Sequence, residues 1–73
     1  MLPRAAVDRL DFDVEDAKAA AANGDALEGF DVLTVGLRHA EVARDEGHPW
    51  GDELVRQYQN AIDRYLQEHG LLL

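Results

Sequence analysis

The sequence predicts an all-α protein, an antiparallel three-helix bundle in up-down-up order. Three observations lead there. The punctuating residues Pro3, Asn23-Gly24, Gly47-His48-Pro49 and His69-Gly70 divide the chain into three stretches of similar length. Between them Ala, Leu, Glu, Arg and Gln, all good helix formers, predominate. No stretch alternates apolar and polar residues as a half-buried strand would. With 73 residues the chain makes a single domain, with helices over about 4–23, 25–46 and 50–69. Short connections between them make sequential helices antiparallel neighbours.

The first segment carries Pro3 at its start, where a missing N–H costs nothing. Val7, Leu10, Val14, Ala17 and Ala21 follow at alternating spacings of three and four, which makes one apolar stripe. Phe12 lies off that stripe. Either the helix breaks near Asp11–Asp13, with Asp13 capping a new helix, or it is continuous and leaves Phe12 exposed or at an interface. Continuity is the preferred reading. Asp11, Asp13, Glu15 and Asp16 read as a solvated acidic patch.

The second segment opens with Asp25-Ala-Leu-Glu28, a capping-box pattern. Its main apolar face is Phe30, Leu33, Leu37 and Ala40. Gly29, Gly36 and Ala43 form a second stripe at intervals of seven. An interior Gly costs a helix about 1 kcal/mol relative to Ala. Two on one stripe therefore predict a close neighbour, and the Ala-rich first helix, through Ala17 and Ala21, is the expected one. Val35 and Val42 extend apolar character to a further, mostly polar side. A helix apolar on more than one side is either central in its bundle or shared with a partner chain.

The third segment places Pro49 near its start and Asp52 and Glu53 at the positive end of its dipole. Trp50, Leu54, Val55, Tyr58, Ala61, Ile62, Tyr65 and Leu66 fall on one broad arc. The pairs Asp52–Arg56 and Arg64–Glu68 have i,i+4 spacing and opposite charge. Beyond Gly70, Leu71, Leu72 and Leu73 form an apolar tail that calls for a covering surface.

Around the first turn the chain resembles a tetratricopeptide-repeat hairpin. Gly24 matches that family's turn glycine, Gly29 the small position that follows, Leu33 the large position and Gly36 the next small one. The match covers about 25 residues, and any tight helical hairpin shares some of its pattern. Asp13, Asp16 and Ala20 stand where the family has large apolar or aromatic residues. The closing proline is absent, and the second helix is longer. The resemblance implies a protein-binding scaffold.

Composition excludes several functions. Hydrophobic residues make up 47% and charged residues 30%, the balance of a folded protein rather than a disordered one. Seven Lys and Arg against 15 Asp and Glu leave a net charge of -8, the wrong sign for nucleic acid. No Cys is present, so disulfides, thiolate nucleophiles and cysteine zinc sites are absent together. No apolar run approaches a membrane span, and Met1-Leu2-Pro3-Arg4 lacks signal-peptide order, which predicts a cytoplasmic protein.

Chemistry is sparse. His39, His48 and His69 lack i,i+4 pairing and the Glu-x-x-His spacing of helical metal sites. The acids around His48 read as caps of the third helix. There is no Ser, and Thr34 sits mid-helix, where it bonds back to a carbonyl. No glycine-rich phosphate loop occurs. The expectation is a protein without catalytic activity, cofactor or metal. Its expected role is a protein-interaction or oligomerisation module, as a homodimer or with a protein partner. The candidate interface residues are Phe12, Val35, Val42, Trp50, Tyr58 and Leu71–Leu73, although for Trp50, Tyr58 and Tyr65, on one side of the third helix, core is the default reading. The alternative is an acidic mimic or inhibitor that covers a basic surface of a partner.

Overall fold

The computed structural model describes residues 1–71. It contains helices α1 (Arg4–Ala22), α2 (Ala26–Asp45) and α3 (Gly51–Glu68), in an elongated body of 37 × 24 × 16 Å. α2 is the central element. α1 and α3 each pack along it and meet one another over a much shorter stretch. The all-α three-helix bundle expected from the sequence is the observed fold. Leu72 and Leu73 of the expected apolar tail lie outside the described residues.

α1 runs unbroken through Asp11–Asp13, so no second helix starts there. Each helix ends on the same device. Gly24, Gly47 and Gly70 take positive φ, and the amide after each glycine returns to a carbonyl in the last turn: Asp25 to Ala20, His48 to Ala43 and Leu71 to Leu66. These are Schellman closures, which a side chain at the glycine would strain. α2 starts on the Asp25 side chain, which accepts from the Glu28 amide at 3.1 Å. Trp50 occupies the N-cap position of α3 with no side-chain capping bond, so Pro49, expected at or near the first helical position, stands two residues before it. Arg56 pairs with Glu53, one turn back, rather than with Asp52.

The core forms two clusters along α2. One is built on Ala17, Leu33, Ile62 and Tyr65, the other on Ala40, Leu54, Val55 and Tyr58; Leu37 packs against both. Full burial of Leu33 alone stabilises the fold by about 1.5–3 kcal/mol. Leu71 folds back on the first cluster, and half-buried Trp50 packs against the second while stacking on His48, ring centroids 4.7 Å apart.

The small-residue stripe has two neighbours rather than one. A Cβ on Gly29 would strike the Tyr65 hydroxyl and sit 2.7 Å from the Ala17 carbonyl; one on Gly36 would strike the Tyr58 ring and sit 2.7 Å from Asp13. α1 presses on the stripe as expected, but the tyrosine rings of α3 press on it too. Ala43, the third member of the stripe, is half-buried, and half-buried Ala21 of α1 packs against the first core cluster.

Candidate functional site

Two sequence expectations change once the helices are packed. Tyr58, offered as an interface candidate beside its default reading as core, is 2% exposed and belongs to the core. Asp13, grouped with a solvated acidic patch, is 4% exposed. The two meet: the Tyr58 hydroxyl donates to Asp13 Oδ2 at 2.6 Å, and Arg9 Nε lies 3.4 Å from Asp13 Oδ1. Burial, then the hydrogen bond and charge of Asp13, push the Tyr58 phenol well above its usual range. The Tyr65 hydroxyl donates to the Ala26 carbonyl at 2.6 Å and so ties α3 to the start of α2. Burial, followed by the Asp25 charge, raises its phenol too. These contacts engage Tyr58 and Asp13 in holding the fold, with Asp13 at the floor of the groove between α1 and α2.

What stays open is a groove of about 720 Å³ between α1 and α2. α1 supplies Arg9, Phe12 and Asp16, which follow one another at three and four residues and so share a side of the helix. α2 supplies Leu27, Asp31 and Val35, one row at intervals of four, with Glu28 and Val32 beside it. Three large apolar side chains stand out of this surface: Phe12 at 66%, Leu27 at 71% and Val35 at 52% exposure. Asp16, Asp25, Glu28 and Asp31 surround them. Val42, also exposed, lies two turns beyond Val35.

The groove unites two residues singled out from the sequence, Phe12 and Val35. It excludes Trp50, Tyr58 and Leu71, and Val42 is not among its lining residues. It adds Leu27, which sequence reasoning missed. The signal was available, since Leu27 is eight residues before Val35 and falls on the same row. Asp13 had a signal too. It stands three residues after Leu10 and four before Ala17, along the edge of the apolar stripe.

A second, more polar groove of about 410 Å³ separates α1 from α3, with Leu10, Val14 and Ala61 beside Gln57, Asn60 and Arg64. The histidines are dispersed: His39 on α2, His48 in the second turn, and His69 tilted against Tyr65 at 4.5 Å. Among the described residues no three His, Asp or Glu side chains are placed to hold a metal ion. The Thr34 hydroxyl donates to the Asp31 carbonyl at 2.9 Å and is thereby occupied. No described helix is long and apolar enough to cross a membrane. Compared with protein-family models, characterised proteins and solved structures, the chain finds no match.

Proposed function

We propose that the chain is a small, non-catalytic protein-interaction module that uses the α1–α2 groove as its contact surface. The observation that carries this reading is the convergence of Phe12, Leu27 and Val35 on one groove. Single exposed apolar residues are ordinary. Three gathered around one groove are the pattern of an interface. The resemblance of the first hairpin to tetratricopeptide repeats agrees in kind. The acidic surroundings favour a second reading, a cover for a basic surface, which high salt would weaken where apolar docking persists.

The test is light scattering across a dilution series, run beside titrations with labelled amphipathic helical peptides of both charge signs. Wild type is expected to associate through the groove, with itself or with a peptide, and the Phe12→Ser/Val35→Ser variant is expected not to. Association that is absent from both, or equal in both, overturns the reading.

A further inference from the structure

We infer that the groove between α1 and α2 accepts a cationic amphipathic helix from a different protein. This rests on the interaction reading above and names the partner class. The apolar features require an apolar occupant, since Phe12, Leu27 and Val35 expose most of their surface to water. The charge surrounding them selects which one. Asp16, Asp25, Glu28 and Asp31 line the groove, and its one lining cation among the described residues, Arg9, is already paired with buried Asp13. A second copy is a poor fit. The chain carries -8, and a two-fold pairing of this groove sets the same four carboxylates against themselves. An occupant with Lys or Arg beside its apolar stripe meets both demands. Its long stems cover apolar surface while their charged ends reach the carboxylates.

The shape favours a helix. The groove runs between two antiparallel helices. Leu27 and Val35 lie eight residues apart on α2, a rise of about 12 Å, which two turns of an occupying helix span with apolar residues at i, i+4 and i+7.

The experiment is fluorescence anisotropy with a labelled leucine–lysine helix of heptad pattern. Its controls are the same composition in scrambled order and a glutamate-for-lysine analogue. The patterned cationic peptide is expected to bind at least about tenfold more tightly than either control. Phe12→Ala is expected to weaken it about tenfold. Asp31→Lys should weaken it several-fold and flatten its salt dependence, whereas Asp63→Lys, on the exposed side of α3, should change little. Absence of binding, equal binding of patterned and scrambled peptides, or equal effects of Asp31→Lys and Asp63→Lys overturns the inference. Should the cationic peptide fail while light scattering shows a dimer that Phe12→Ser/Val35→Ser abolishes, the partner class falls and the interaction module stands. Should both fail, both fall.

Discussion

The Tyr58 hydroxyl donates to the Asp13 carboxylate at 2.6 Å, a contact that ties α3 to α1 across 45 residues of chain. The pair sits directly under Gly36, whose missing side chain makes the space. The backbones of α1 and α3 approach over only a short stretch, so beside the apolar contacts of the two core clusters this bond is a main polar tie between the outer helices. Removing Asp13 leaves the Tyr58 hydroxyl buried without its acceptor, and removing the hydroxyl leaves buried Asp13 with Arg9 alone. Asp13→Ala and Tyr58→Phe should each cost about 1–3 kcal/mol. In the double variant the costs should fall short of their sum by about 1–3 kcal/mol. Urea denaturation of the four chains measures this, and strictly additive costs would show the contact to be energetically idle.

Stability should decline in strong base. An ordinary tyrosine titrates near pH 10, and the unfolded chain releases the Tyr58 proton there. In the folded chain, burial and the adjacent Asp13 raise the phenol, so it keeps its proton to higher pH. Above about pH 10 the folded state therefore binds more protons than the unfolded state, and stability falls as pH rises. The contribution is complete below that pH. Denaturation midpoints through this range should drop in wild type and drop less in Tyr58→Phe. A remaining slope belongs to Tyr65, whose phenol is raised mainly by its burial. Equal slopes in both chains would contradict the assignment.

Gly36→Ala should destabilise the protein, although Ala is the better helix former by about 1 kcal/mol. The added Cβ would strike the Tyr58 ring and crowd Asp13, and overpacking of this kind costs about 1–3 kcal/mol even after the neighbours adjust. Gly24→Ala is the comparison. Nothing lies within 4 Å of its Cβ, so the loss, about 1 kcal/mol, comes from the positive φ of 86° alone. A thermal shift upward in Gly36→Ala would refute the close approach.

Asp25→Ala should cost about 1 kcal/mol, because the side chain accepts the Glu28 amide at the first turn of α2. Asp25→Asn should recover most of it. Equal losses in the two would point to the Asp25 charge rather than the cap.

Phe12→Ser and Val35→Ser should leave folding free energy within about 0.5 kcal/mol of wild type, since both side chains already face water. Their effect is expected in binding alone. A large loss of stability in either would mean that the side chain serves the fold.

Much of this architecture was legible in the sequence. Pro3, Asn23-Gly24, Gly47 and Gly70 mark the helix ends, and the stripe Phe30, Leu33, Leu37, Ala40 marks the buried face of α2. These features are local: a glycine closes a helix, and a periodic apolar row buries, whatever lies far away in the chain. The exposure of Phe12 and Val35 followed in the same way, from their places off the main stripes.

The fates of Asp13 and Tyr58 were decided only by the tertiary structure. On its own helix Asp13 borders the apolar stripe, and periodicity alone does not say whether such an edge residue is covered. It is buried because Tyr58, brought from the far end of the chain, offers it a hydroxyl, and because Gly36 on α2 leaves room for both. Tyr58 in turn shares an arc with Trp50, and helix periodicity says that the arc is covered without saying which ring is sealed and which stays at the rim. The groove is tertiary for the same reason. Phe12 belongs to α1 and Leu27 and Val35 to α2, and only the antiparallel packing of the two helices sets them around one opening. Periodicity fixes which residues share a face of one helix; which faces meet depends on side-chain volumes and hydrogen-bond partners supplied by the others.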